Sequence, residues 1–341
     1  HVVAELLAAG AGEVLCLVRA ADDVEAQVRL DHALAAYGMD FAPAVRAVRG
    51  DVSHDARGLA ASLGSIDAVF HCAAITDHVG RREEYERVNV EGTRRMLELA
   101  AMLEAQFMHV STMSVAGRGG ALFDERSFDV GQDVDFNEYA RSKYRAEAVV
   151  LDAFAKGVAG RVFRVGNLTG RARDGVFQRD VHRNAFAMRL AAYARLGCYP
   201  ESLVERFEMT PVDSCARSIV LLATHDSHCV AHVCSDRRID VKALAALLRR
   251  CGHPVEPVSD EAFARCVSGR LNNEFKSLFG IVRDVVERPA AQPTEASAAA
   301  TCAALQEKGF SWPDPDAAYF APYFAQIQAA VEASGPVRER S

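Results

Sequence analysis

Tyr139 and Lys143 stand four residues apart in Asn137-Glu138-Tyr139-Ala140-Arg141-Ser142-Lys143, with Ser111-Thr112 one strand and one loop upstream. Together these residue types could stabilise and protonate an oxyanion: a phenolic acid, an ammonium and a second hydroxyl. Positions i and i+4 share a helix face, so the Lys143 ammonium can lie beneath the Tyr139 ring. A free phenol titrates at about 10, too high to exchange protons efficiently at neutral pH. A neighbouring ammonium stabilises the phenolate and brings that value towards the working range. Y-x-x-x-K alone is short enough to fall on any surface helix, so the surroundings must carry the reading.

Around these residues, β-rich runs alternate with helical patterns, the signature of a parallel sheet with crossover helices. Val14-Leu15-Cys16-Leu17-Val18 is a continuous apolar run, as in a strand covered on both faces. Further strands are expected at 45–48, leading into Gly50-Asp51-Val52, and at 68–72, 107–110, 161–165 and 231–234. Helices are expected near 23–36, 83–104 and 138–156. The first would turn Val24, Val28 and Leu34 inward, the second Val88, Met96, Leu97 and Leu103. The chain opens on helix-periodic residues that run into Gly10 as a stop. In a dinucleotide-binding fold such a helix follows a strand and a glycine-rich turn that cradles a pyrophosphate. Gly10-Ala11-Gly12 lies at the wrong end of the helix for that purpose, so the strand and turn are expected upstream of His1.

With 341 residues, half apolar and a quarter charged, the chain can bury a sizeable core as one large domain or a domain with an appendage. A net charge of −7 gives no basic footprint for nucleic acid. No signal peptide opens the chain and no apolar run reaches about 18 residues, so a soluble cytoplasmic protein without a membrane partner is expected. Nine cysteines without C-x-x-C spacing fit reduced thiols. His228-Cys229-Val230-Ala231-His232-Val233-Cys234 invites a zinc reading, but its period sends alternate residues to opposite faces of a strand. A core strand and no metal are expected there. Pro289 to Ala300 reads as a linker or loop, and Trp312, Tyr319, Phe320, Tyr323 and Phe324 as packing for the terminal helices.

Several segments in order carry a resemblance. They are Leu15-Cys16-Leu17-Val18-Arg19-Ala20, Gly50-Asp51-Val52, His71-Cys72-Ala73-Ala74 and Val88-Asn89-Val90-Glu91-Gly92-Thr93. His109 to Val115, Tyr139 to Lys143, Arg164 to Arg171 and Thr210-Pro211-Val212-Asp213 follow. The chain resembles the extended short-chain dehydrogenase/reductase family. It is more closely similar to the thioester reductase domains that end nonribosomal peptide synthetases and carboxylic acid reductases. The implied fold is a Rossmann-type doubly wound parallel sheet with a smaller, mostly helical C-terminal substrate lobe. Residues 1–170 would form the dinucleotide-binding domain, with 208–234 returning to it, while 171–207 and 235–341 form the substrate and lid region.

The resemblance also implies roles. Arg19, at a strand end, would pair with the 2′-phosphate of NADPH, where NAD-preferring folds place an acid. Arg29 would assist it or simply face solvent. Asp51 would accept from the adenine amino group or serve as a turn residue beside Gly50, while Val52 packs on the ring. Ala73 and Ala74 are small where the protein backbone would approach the cofactor closely, Asn89 would support the site, and Val165 and Asn167 would complete the cofactor set. Thr112 and Tyr139 would donate to the oxygen of a thioester carbonyl under hydride attack, Tyr139 also passing a proton. Lys143 would bind the nicotinamide ribose and depress the phenol, and Ser111 would point to the other face. Cys72, with no paired His, is not a nucleophile. The implied partner is a phosphopantetheinyl carrier protein, released of its acyl or peptidyl group as an aldehyde or, after a second round, an alcohol. The alternatives are an NAD-retaining nucleotide-sugar epimerase or dehydratase, which shares Thr112, Tyr139 and Lys143, and a non-reducing release, cyclisation or carrier-binding domain.

Overall fold

The computed structural model describes residues 1–41, 43–54, 56–76, 80–225, 229–271 and 294–333. The apolar run Val14–Val18 (β1) pairs in parallel with Val45–Arg49 (β2), Val14 opposite Val45 and Val18 opposite Arg49. Ala68–His71 (β3), Gln106–Thr112 (β4), Gly160–Val165 (β5) and Val230–Val233 (β6) form a parallel sheet in the order β6-β5-β4-β3. Thr112 lies opposite Val165, so the C-terminal ends of β4 and β5 are side by side. The strands fall where the apolar runs place them, and β6 confirms the strand reading of 230–233; His228 lies outside the described residues.

Val2–Ala8 (α1) ends just before Gly10, whose φ of +96° glycine adopts without a Cβ clash. Asp23–Ala35 (α2) starts at Asp22, whose carboxylate accepts from the Glu25 N–H at 2.8 Å. Its buried residues are Ala26 and Leu30, whereas Val24 and Val28 are 75% and 46% exposed. The inward placement of Val24 and Val28 is thereby corrected. Gln27 Oε1 accepts from the Ala47 N–H at 2.9 Å, which fixes the helix's rotation over β2 and turns both valines outward.

The helical stretch near 83–104 is divided into a short helix Arg82–Tyr85, a π-helical turn Glu86–Val90 and the helix Glu91–Met102 (α3). The wide turn carries Asn89 into the interior, a typical use of a π-bulge. Glu138–Ala155 (α4) is capped by Asn137, whose side chain accepts from the Ala140 N–H at 2.7 Å. It buries Ser142 and Lys143, then Ala146 and Glu147, then Val150, a pattern that recurs every three or four residues.

Beyond β5 the chain is mostly helical: Ala185–Leu196 (α5), Val212–His225 (α6), Val241–Arg250 (α7), Ala299–Glu307 (α8) and Ala317–Ala333 (α9). One core joins α5, α7 and α9 through Phe186, Leu190, Leu244, Leu248, Phe320 and Ile327. Tyr319, Tyr323 and Phe324 pack in it too, as expected for terminal helices. Trp312 instead joins Phe310 and Leu305 on the sheet, against Phe163, Ile219 and Val233. The fold is thus a Rossmann-type doubly wound parallel sheet with a smaller helical lobe. At Gly175, with φ +71°, a Cβ would stand 2.4 Å from the Tyr323 backbone nitrogen, so glycine lets the loop after β5 lie flush on α9.

The stretch Pro289 to Ala300 lies partly outside the described residues, and its described part is no free linker. Thr294 N–H donates to the Gly117 carbonyl at 3.2 Å, Phe123 N–H to Glu295 at 2.8 Å, and Ser297 N–H to Phe123 at 2.9 Å. None of the nine cysteines forms a disulfide, and among the described residues no helix is long and apolar enough to cross a membrane.

Candidate active site

Strand β4 delivers Thr112 to the sheet's C-terminal edge, where open α/β sheets bind ligands. Thr112 caps the turn Met113–Ala116, its hydroxyl accepting from the Ser114 N–H at 3.2 Å and lying 3.2 Å from Ser114 Oγ. The Thr112 hydroxyl also hydrogen-bonds the Tyr139 phenol. Alternation sends Ser111 to the opposite face, as expected, where it donates to Glu147 Oε2 at 2.6 Å. Lys143, one turn beyond Tyr139, is buried, and its Nζ donates to the Val110 carbonyl at 2.8 Å.

The electrostatics correct one expectation. Burial pushes the Tyr139 phenol above its ordinary value, and the Thr112 hydrogen bond opposes this rise. Lys143 is anchored on Val110, and burial pushes its own ammonium down to about 8, with Glu147 and Cys72 pulling the other way. The Thr112 hydrogen bond is a contact that favours the phenolate against that burial.

Below the triad lies a polar layer that the sequence reading passed over. Glu147 and Arg164 are both fully buried and paired through Nε at 2.8 Å and Nη2 at 2.6 Å. Arg164 also donates to the carbonyls of Ser127 (2.8 Å) and Asp124 (3.3 Å), meets His232 Nε2 at 2.9 Å and stacks 4.4 Å from the Phe123 ring centroid. The available signal was Glu147's place eight residues after Tyr139, on the same helix face. His71 and His109 are register neighbours on β3 and β4. His71 Nε2 lies 3.0 Å from Thr93 Oγ1, whereas neither His109 ring nitrogen meets a hydrogen-bond partner among the described residues. Burial and the Lys143 charge push both imidazoles down, His71 to about 3. Asn89 holds Ile75 by both its backbone groups, at 2.7 and 3.0 Å, and donates to Ser142 Oγ at 2.9 Å. That is the supporting role expected of it.

Arg19, Asp51, Val52, Ala73 and Ala74 line one groove of about 550 Å³, together with Leu17, Ile75, Tyr85, Arg87 and Arg183. Arg87 and Arg183 were not anticipated. Asp51 is both groove wall and turn residue, accepting from Ser53 N–H at 2.8 Å and Ser53 Oγ at 2.6 Å. Burial raises its carboxyl, but the Ser53 hydrogen bonds and the Arg19 charge outweigh this and hold it below its ordinary value. Arg29 is not among the residues lining the groove: it donates to the Arg19 carbonyl at 2.6 Å and pairs with Glu25 at 2.6 Å. Val165 stands beside Thr112 in register, and Asn167 is fastened to Glu208, whose carboxylate accepts from its N–H at 2.7 Å. Tyr139 and Lys143 lie outside the lining too, linked to it through Ser142, Asn89 and Ile75. A cation at a strand end, a carboxylate and two alanines suit the adenosine end of a dinucleotide.

The model of an NAD-binding family described as male sterility protein matches residues 1–219. A glycine betaine reductase of Emericella nidulans is 29% identical over 207 residues, covering 57% of this chain and 16% of that protein. A linear gramicidin synthase of Brevibacillus parabrevis is 27% identical over 279 residues, covering 77% of this chain and 5% of that protein. The chain thus spans a small part of the length of these relatives. A solved thiolation-reductase di-domain from an archaeal non-ribosomal peptide synthetase superposes with a TM-score of 0.86 at 25% identity, covering 97% of this chain and 73% of that one.

Proposed function

The chain belongs to the NAD-binding family described as male sterility protein, and on that basis we propose that it reductively releases a carrier-bound acyl or peptidyl thioester with NADPH. It is an extended short-chain dehydrogenase/reductase of the thioester reductase kind. The observation that carries the reading is the hydrogen-bonded pair Thr112–Tyr139 at the sheet's C-terminal edge. Beside it lie Lys143 and a groove walled by Arg19.

Bound NADPH supplies a hydride to the thioester carbonyl. Thr112 and Tyr139 donate hydrogen bonds to the carbonyl oxygen as it gains charge, and Tyr139 passes it a proton. Lys143, held by Val110, keeps a positive charge near that oxygen and offers donors to the nicotinamide ribose. The hemithioacetal then expels the phosphopantetheine thiol and leaves an aldehyde. Arg19 grips the 2′-phosphate, Asp51 and Val52 hold the adenine, and Arg29 braces Arg19 through its carbonyl. Val165 and Asn167 shape the nicotinamide end. An NAD-retaining sugar epimerase is disfavoured because an arginine stands where such folds need an acid. Residues 1–170 and 208–234 serve as the nucleotide lobe, and 171–207 with the remaining C-terminal helices as the substrate lobe. The packing of Leu305, Phe310 and Trp312 adds their segment to the nucleotide lobe.

The test is incubation of the full-length protein with an acyl phosphopantetheine thioester and either NADPH or NADH, trapping any aldehyde. NADPH oxidation matched by aldehyde is expected. Free acid or cyclised product without cofactor oxidation would replace this reading with a non-reducing release domain.

A further inference from the structure

We propose that Glu147, locked between Arg164 and Ser111 one turn beyond Lys143, is a positioning residue whose fixed negative charge favours the ammonium form of Lys143. The proposal rests on the reductase reading for what Lys143 does, and on geometry for how Glu147 governs it. Tyr139, Lys143 and Glu147 follow one another at intervals of four, so they form one stripe along the buried face of α4. An ammonium out of water needs an anion nearby to stay charged. Among the described residues, the titratable groups that act on Lys143 or feel its charge are Glu147 on α4, His71 and Cys72 at the end of β3, and His109 on β4, with Tyr139 one turn before it on α4 and Arg164 on β5 behind Glu147. Glu147 is the carboxylate among them, and the two imidazoles carry no charge at neutral pH.

Glu147 does not give its oxygens to Lys143. Oε2 accepts from Ser111 and Oε1 twice from Arg164, while Lys143 donates to Val110. Its influence is therefore that of a fixed charge whose place is set by others. Arg164 fixes it from behind, itself tied to the Asp124 and Ser127 carbonyls and to His232. His232 extends the chain of contacts to the segment before α8, its Nδ1 lying 2.6 Å from the Ser297 carbonyl oxygen and its N–H donating to Thr301 at 2.8 Å. A carboxylate held this firmly keeps its negative charge one turn from the ammonium on the same helix face, where it favours the protonated form. A carboxylate serving only the fold would satisfy Arg164 without moving the titration of Lys143.

That difference can be read directly, because the sequence holds five lysines: Lys143, Lys156, Lys242, Lys276 and Lys308. NMR of protein carrying carbon-13 at the lysine Cε, titrated from mildly acidic to alkaline pH, resolves each ammonium, and Lys143→Met assigns the signal that disappears. The Lys143 midpoint is expected at about 8. In Glu147→Gln it should fall by about one pH unit or more, and the alkaline limb of kcat should move down with it. Where Glu147→Gln fails to fold because Arg164 keeps a buried charge, Glu147→Gln/Arg164→Gln removes that charge and should show the same fall. An unmoved Lys143 midpoint overturns the proposal even in a fully active reductase. A fallen midpoint in a protein that reduces no thioester upholds it and removes the reductase reading instead.

Discussion

Lys143 donates to the carbonyl oxygen of Val110 at 2.8 Å, so the cation is fastened to the strand that ends, two residues later, in Thr112. Because burial has brought this ammonium down to about 8, its charge is lost within the accessible pH range. The protonated form is the one that supports oxyanion formation, so turnover is expected to hold below pH 8 and to decline as pH rises through it. A pH profile of kcat at saturating NADPH checks this, and a flat profile up to pH 10 would assign the charge elsewhere.

Tyr139→Phe removes the phenolic proton and leaves the ring. Turnover is expected to drop about a hundred- to ten-thousand-fold, the range of general-acid contributions, with NADPH affinity nearly unchanged. Steady-state kinetics beside a fluorescence titration with NADPH separate the two quantities. Substantial residual activity would refute Tyr139 as the acid.

Arg19→Ala deletes the cation on the groove wall. Loss of charge-assisted hydrogen bonds to a phosphate is expected to weaken NADPH by about ten- to a hundredfold while NADH changes little. Parallel KM measurements for both cofactors decide the matter, and equal losses would reject a 2′-phosphate at Arg19.

Arg164→Met would leave the Glu147 carboxylate buried without its counter-charge. Breaking such a pair from one side is expected to cost about 3–5 kcal/mol of stability, measured by urea unfolding. A cost near zero would show that the site relaxes and that water reaches Glu147.

Acid stability follows from His71. Its folded-state value is depressed to about 3 from 6.5, so the unfolded chain takes up this proton first as pH falls. The stability it contributes is complete above pH 6.5 and is lost progressively as pH falls towards 3. His71→Gln, which can still reach Thr93, is expected to flatten the decline in melting temperature between pH 7 and 5. An unchanged slope would place the acid sensitivity in other groups.

The parts legible in the sequence were those set by local pattern. A continuous apolar run located β1 and shorter β-rich runs located β2 to β6, and the i, i+4 spacing put Tyr139 and Lys143 on one helix face. The rotation of α2 was not legible, because Val24/Val28 and Ala26/Leu30 have the same spacing, and a single tertiary bond from Ala47 to Gln27 selects the second pair. Nor was the partner of Lys143, since a carbonyl is present at every position and only packing chooses Val110. Arg164 and Glu147 sit on different elements 17 residues apart, so no periodicity links them. Among the residues lining the groove, Arg183 comes from beyond β5 and reaches it only through the fold.

The stitching of residues 294–297 onto 117–123 has a practical corollary for anyone cutting this enzyme down. A shortened version that stopped after β6 would retain every side chain assigned to chemistry, yet strip the neighbour from the stretch that follows Thr112. His232 would also lose Ser297 and Thr301, and with them the far end of the scaffold behind Arg164. The smallest unit worth expressing therefore runs through α9, whose Phe320 and Ile327 close the core with α5 and α7, and what looks in sequence like a dispensable tail braces the segment that follows Thr112.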